Sequence, residues 1–195
     1  MEIPKAYIPG DFEDKIYKNW EDKGLFNPDT IGANGDPFAV VLPPPNVTGT
    51  LHLGHAAMLA IEDLMIRYKR MNGFDGLWVP GTDHAGIATQ NVVEKKLWKE
   101  ENKTRHDIGR DKLLEKIEAH IENSKNIIHE QVRKMGSSLD WSREAYTMDK
   151  VRGQAVRKVF KMMYDDGLIY RGYRIVNWCP RSEEHTSELQ SHHPI

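Results

Sequence analysis

The pattern that most limits how this chain can fold is a strand-length apolar run, then one helix's worth of amphipathic sequence, then a second apolar run. Phe38-Ala39-Val40-Val41-Leu42 is continuously apolar and ends on three prolines, Pro43, Pro44 and Pro45. An unbroken run of that length predicts a strand buried on both faces of a parallel sheet, since a half-solvated strand would alternate. From about His52 to Met71 the spacing is helical. Ile61, Leu64, Met65 and Tyr68 fit the i, i+3, i+4, i+7 template and predict an inner face, with Glu62, Arg67, Lys69 and Arg70 outside. Asn72-Gly73 supplies the stop, and Gly76-Leu77-Trp78-Val79-Pro80 is the second strand. Crossovers of this kind are right-handed and parallel in nearly all cases. The pattern therefore predicts an α/β fold with a Rossmann-like parallel sheet and additional helices. Such sheets bind ligands outside the carboxyl ends of their strands, so the loops 43–55 and 80–90 are expected to converge on one crevice.

Around this unit the chain reads mostly as helix. Phe12, Ile16 and Trp20 repeat every four residues, which predicts a helix over 11–24 capped by Asp11 and stopped by Gly24. Residues 27–37, rich in Gly, Asn, Asp and Pro, predict a loop. Helical periodicity covers 85–99 and 110–135, the latter through Leu113, Ile117, Ile121, Ile128 and Val132. Asp149 is placed to cap a helix ending at Asp166-Gly167, and 168–178 predicts a strand or hairpin. Residues 181–195 have no apolar period of either kind, with Leu189 alone among polar residues. They are expected to form a non-native, disordered tail after an N-terminal unit spanning 1–180.

Composition narrows the function classes. With a net charge of −2 over 195 residues, no basic surface marks the chain as a nucleic-acid binder overall, so any such contact must be local. A single cysteine, Cys179, rules out an internal disulfide and suits a reducing cytoplasm. The first residues lack the layout of a signal peptide, and no apolar run approaches membrane-spanning length. The sequence contains no Walker A loop, no Gly-x-Gly-x-x-Gly and no Gly-x-Ser-x-Gly, which argues against P-loop, dinucleotide and serine-hydrolase chemistry.

The chemistry concentrates in two loops. Pro45-Asn46-Val47-Thr48-Gly49-Thr50-Leu51-His52-Leu53-Gly54-His55 ends where the long helix begins. Two imidazoles three residues apart share a helix face, and with the free N–H groups of a helix start they suit phosphate. Gly54 leaves the backbone approachable. Thr48 offers a hydroxyl, with a plain helix entry capped by Thr50 as the alternative. Zinc is a weaker reading, because the Glu of a His-Glu-x-x-His helix is missing. In the second loop, Trp78-Val79-Pro80-Gly81-Thr82-Asp83-His84-Ala85-Gly86-Ile87-Ala88-Thr89-Gln90, Asp83 can pair with a ligand ammonium group or cap the next helix. Residue chemistry alone favours the cap.

His52-Leu53-Gly54-His55 resembles the signature of the class I aminoacyl-tRNA synthetases. The preceding Pro43-Pro44-Pro45-Asn46-Val47-Thr48-Gly49 and the stretch Pro80 to Gln90 are similar to the valyl members of that family. Leu139-Asp140-Trp141-Ser142-Arg143-Glu144, Tyr146-Thr147-Met148-Asp149, Tyr170-Arg171-Gly172 and Val176-Asn177-Trp178-Cys179-Pro180 extend the resemblance from Asp11 to Pro180. It implies the first half of a Rossmann-like catalytic domain that activates valine with ATP and passes it to tRNA. His52 and His55 are the expected catalytic pair, Thr48, His52, Gly54 and His55 the ATP contacts, and Pro44, Pro45, Asn46 and Asp83 the valine contacts. Asp83 takes the amino group, and the proline wall suits a small branched side chain. Magnesium accompanies the nucleotide, no metal site is expected in the chain itself, and the intact enzyme is expected to be a cytoplasmic monomer. Family members also carry an editing domain, a lysine-bearing second signature loop and an anticodon-binding domain, none of which is present here. A zinc site in relatives would need a second Cys where this chain has Ser182. A chain of this length is therefore expected to be inactive alone. The competing classes are a nucleotide-binding domain without catalysis and another nucleotidyltransferase on the same fold.

Overall fold

The computed structural model describes residues 6–32, 34–173, 175, 177–179 and 184–186. The elements in chain order are α1 (Pro9–Asp22), α2 (Pro28–Ile31), β1 (Pro37–Val41), α3 (Leu53–Met71), β2 (Asp75–Val79), β3 (Gly81–Thr82), α4 (Gly86–Glu101), α5 (Arg105–Ile108) and α6 (Arg110–Lys134). A 3-10 turn, Trp141–Arg143, leads into β4 (Ala145–Tyr146), α7 (Lys150–Asp165), β5 (Asn177–Cys179) and β6 (Glu184–Thr186).

The predicted crossover is present. β1 and β2 pair in parallel, with Pro37 opposite Asp75 and Val41 opposite Val79, and α3 joins them and packs on both. A second parallel pair joins β3 to β4, and β5 pairs antiparallel with β6. The core gathers Leu42, Val47, Leu59, Ile66, Trp78, Ile128, Val132 and Leu139, so α6 closes over the crossover unit. Burying side chains of this size stabilises by roughly 1.5–3 kcal/mol each relative to exposure.

Two expectations about burial are overturned. β1 is not covered on both faces: Phe38 and Val40 are half-buried against the core, while Pro37, Ala39 and Val41 are exposed. With two strands and helices packed on one side, nothing in the described residues covers the other face. α3 also presents the opposite face from the one its apolar pattern predicts. Leu59 and Ile66 are 1% and 0% exposed, whereas Leu64 and Tyr68 are 68% and 62% exposed, with Ile61 and Met65 alongside them. The inward stripe is Leu59 and Ile66, buried, with Glu62, Asp63 and Arg70 half-buried beside them, so three of its five residues are charged.

The charges on that stripe are tolerated because each finds a partner. Glu62 Oε2 accepts the Trp78 indole N–H at 3.0 Å. Asp63 Oδ1 accepts the Ser138 N–H and hydroxyl, and its Oδ2 pairs with Arg67 at 2.7 Å. Arg70 donates to the carbonyls of Gly76, Phe26 and Ser138 and to the Ser138 hydroxyl. The charged half of the helix thus ties α3 to the segment 136–140, and hydropathy periodicity does not see that.

Smaller differences concern ends and strands. Asp11 does not cap α1; Ile8 holds that position and Pro9 begins the helix, where a missing N–H costs nothing. Gly24, with φ +62, ends the segment as predicted. The loop 27–37 contains α2, capped by the Asn27 side chain on the Asp29 N–H. Asp149 caps α7 as expected. Of the strand predicted over 168–178, the described residues form strand only at Asn177–Cys179, and Tyr173 and Ile175 stand in solvent. The expectation for 181–195 falls on residues mostly outside those described; Glu184–Thr186 are described, as β6. Among the described residues no helix is long and apolar enough to cross a membrane.

Candidate functional site

The two loops meet through their backbones. The Val47 N–H donates to the Asp83 carbonyl at 2.9 Å and the Asp83 N–H donates to the Pro45 carbonyl at 2.9 Å, giving a parallel bridge between Asn46 and Asp83. Pro45 and Val47 are buried, so this bridge is anchored in the core, while Pro44 and Asn46 remain exposed. Pro44 lies beside Gly81. The far end of the first loop is fixed too, because the Leu51 N–H donates to Gln131 Oε1 at 2.8 Å. Thr48 sits half-buried in the turn between these anchors.

His52 and His55 cap α3 reciprocally. The Gly54 N–H donates to His52 Nδ1 at 3.1 Å, and the His52 N–H donates to His55 Nδ1 at 3.2 Å. The ring centroids lie 3.9 Å apart. Thr50 is therefore not the cap. Because both Nδ1 atoms accept backbone protons, each neutral ring carries its proton on Nε2. The turn thus presents two Nε2–H donors beside the positive end of a nineteen-residue helix. Partial burial lowers the His55 pKa from the ordinary histidine value, and the adjacent His52 ring lowers it further. Glycine at 54 lets the His52 ring lie close over the backbone: a Cβ would stand 2.9 Å from His52 Cε1 and 3.1 Å from Nδ1, so the ring would have to shift.

Two other loop glycines differ in how much room surrounds them. A Cβ at Gly49 would meet open space, so no local crowding demands glycine there. At Gly81 a Cβ would come within 3.2 Å of the Ala145 carbonyl, so this position is tight against the β3–β4 pairing.

Asp83 does not cap α4, and neither does Thr82. Ala85 holds the N-cap in the left-handed region, φ +42, without a side-chain cap. The Asp83 carboxylate is instead held by its neighbours. Its Oδ1 accepts the Thr147 hydroxyl at 2.9 Å and lies 3.3 Å from His84 Nδ1. The side chain is 34% exposed. Burial, then the Asp83 charge, raises the pKa of neighbouring Tyr146. Thr147 and His84 had no role assigned from sequence. The only signal was that both fall in family-like stretches, and a contact 63 or 64 positions apart has no periodicity to betray it.

A cleft of about 1030 Å³ adjoins the histidine turn, lined by Leu51, His52 and Ala56, by Gln131 and Arg133 of α6, and by Tyr17 of α1. Among the described residues no group of three or more His, Cys, Asp or Glu could hold a metal ion.

Residues 15–193 match the family described as tRNA synthetases class I (I, L, M and V). The chain belongs to that family. It is 48% identical over 192 residues to a valine–tRNA ligase of Thermotoga maritima, covering 98% of this chain and 22% of that protein. It is 51% identical to a valine–tRNA ligase of Thermus thermophilus (97% and 22% covered) and 51% identical to one of Chlamydia felis (91% and 19%). The chain thus spans about a fifth of the length of these curated relatives. A solved ternary complex, Agrobacterium radiobacter K84 agnB2 LeuRS-tRNA-LeuAMS, shares the fold with a TM-score of 0.74 at 22% identity, covering 91% of this chain and 21% of that one. The α/β, Rossmann-like class expected from the crossover is therefore the observed one.

Proposed function

We propose that residues 1–180 form the first part of the catalytic domain of a valine–tRNA ligase and supply its valine and ATP half-site. The observation that carries this reading is the bridge between Pro45–Val47 and Asp83. It joins the backbone of Asp83, whose partly exposed carboxylate caps no helix, to the loop that ends in the paired Nε2–H donors. The relatives named valine–tRNA ligase, at about half identity, support the choice of amino acid.

In that reading Asp83 Oδ2 receives the valine ammonium group, and Asn46 with Pro44 and Pro45 borders the side chain. The valine carboxylate attacks the α-phosphorus of ATP, forming the acyl–phosphate bond while the bond to pyrophosphate breaks. Magnesium enters with ATP as part of the substrate. His52 and His55 donate from Nε2 to phosphoryl oxygens as charge builds on them, with Thr48 and the backbone at Gly54 beside the nucleotide. The valyl group then passes to tRNA. The remaining parts of the longer relatives would complete the site, in a cytoplasmic monomer.

Valine-dependent ATP–pyrophosphate exchange on the full-length protein tests this. Asp83→Ala should raise the valine KM by about tenfold or more, since a charge-assisted hydrogen bond contributes about 1.5–3 kcal/mol. His52→Ala and His55→Ala should lower kcat more than they raise the valine KM, because phosphoryl charge grows only in the transition state. Unchanged valine dependence in Asp83→Ala would remove that carboxylate from the substrate site.

A further inference from the structure

We infer that Thr147 is a positioning residue for amino-acid recognition: its hydroxyl locks the Asp83 carboxylate into the orientation that receives the ligand's ammonium group. The inference rests on the assignment of Asp83 to that group.

The hydroxyl has one proton and two lone pairs, and the site uses all three. Asp83 Oδ1 can only accept, so the 2.9 Å contact is donated by Thr147. The His84 backbone N–H donates to the same oxygen at 2.9 Å. His84 Nδ1 lies 2.7 Å from Oγ1. With the hydroxyl proton already spent on Asp83, that contact requires Nδ1 to carry a proton and donate. His84 is thereby fixed as its Nδ1–H tautomer, whose proton also faces Asp83 Oδ1. Oδ1 is held from two sides, and Oδ2 is left for a ligand.

The backbone geometry explains why such a lock is needed. Asp83 lies two residues before the N-cap of α4, and that cap position, Ala85, offers no side-chain acceptor. A free aspartate there would turn toward the unsatisfied N–H groups of the helix start, which attract carboxylates. Thr147 holds it away from them. Thr147 is placed in turn by the short β3–β4 pairing, through its own N–H on the Thr82 carbonyl at 3.2 Å, and by Asp149 two residues on, which caps α7. A segment remote in sequence therefore sets the aim of the amino-group acceptor.

The experiment compares Thr147→Val, Thr147→Ser and Asp83→Ala in the full-length protein by ATP–pyrophosphate exchange. Isovalerate, which is valine without its amino group, serves as a competitive inhibitor. Thr147→Val should raise the valine KM about tenfold, the loss of one strong hydrogen bond, with the ATP KM held within about twofold. Inhibition by isovalerate should be unchanged, since it has no ammonium group to misplace. Thr147→Ser keeps the oxygen and should restore the valine KM, which also covers the case in which the valine variant folds poorly. If Asp83→Ala raises the valine KM and Thr147→Val does not, the positioning role is overturned while the Asp83 assignment stands. If valine and isovalerate weaken together in Thr147→Val, Thr147 is only structural. If Asp83→Ala itself leaves the valine KM unchanged, the underlying assignment fails, and this inference with it.

Discussion

Leu59 and Leu64 occupy opposite sides of α3, and truncating each in the 195-residue chain separates two accounts of that helix. Its apolar periodicity makes Leu64 a core residue; the structure makes it 68% exposed and Leu59 1% exposed. Leu59 packs in the cluster with Ile66, Trp78 and Ile128, so Leu59→Ala removes buried methyl groups and opens a cavity, at a cost of about 2–5 kcal/mol. Leu64→Ala should cost no more than about 0.5 kcal/mol. Arg70→Ala provides a third measurement. It strands the Gly76, Phe26 and Ser138 carbonyls and leaves Asp63 short of a nearby cation, for a loss on the order of 3 kcal/mol. Urea unfolding followed by tryptophan fluorescence and far-UV circular dichroism reads all three, provided the slopes agree, so that midpoints compare stability alone. If Leu64→Ala proved as damaging as Leu59→Ala, and Arg70→Ala harmless, α3 would be rotated by half a turn from its described position.

Three further outcomes follow from particular contacts. Thr82 is 1% exposed and its hydroxyl has no partner among the described residues, so Thr82→Val should raise stability by about 1 kcal/mol; a loss would show that the hydroxyl is bonded after all. His129 and His55 both have pKa values lowered chiefly by burial, so the unfolded chain takes up protons near pH ~6.5 before the native chain does. Stability should therefore be full above that value and fall as the pH drops below it. His129→Gln should flatten the fall, and a rise on acidification between about pH 7 and pH 5 would contradict the assignment. Gly54→Ala should push the His52 ring off its cap, costing about 0.5–2 kcal/mol in helix stability and lowering the exchange rate in the full-length protein; wild-type values for both would show that the ring does not lie over Gly54.

What sequence revealed and what it hid divide along physical lines. The crossover, the stops at Gly24, Gly73 and Gly167 and the Asp149 cap were legible because each depends on chemistry within a few residues. The meeting of the two loops followed from the rule that parallel strands deliver their carboxyl ends to one edge, and the Asn46–Asp83 bridge bears it out. The buried face of α3 was hidden because hydropathy scores Glu62, Asp63 and Arg70 as solvent-seeking. Their partners at Trp78 and Ser138 become neighbours only after folding. Asp83 was legible as a candidate, but its freedom from capping duty was not, since that is decided by Thr147 far along the chain and by a left-handed Ala85.

The reciprocal capping of His52 and His55 has a consequence for how this loop can change over generations. Each ring fastens the first turn of the helix with Nδ1 and leaves Nε2 for the proposed phosphate contact, so one base change at either codon removes a helix fastening and, on that proposal, a phosphate donor together. Asparagine or serine could restore the cap but not a ring N–H at the same reach. A side chain at Gly54 between them would displace the His52 ring from its cap. The three positions therefore form a block that drift cannot cross one residue at a time. Variation in this loop should collect instead at Gly49, where an added side chain meets only open space.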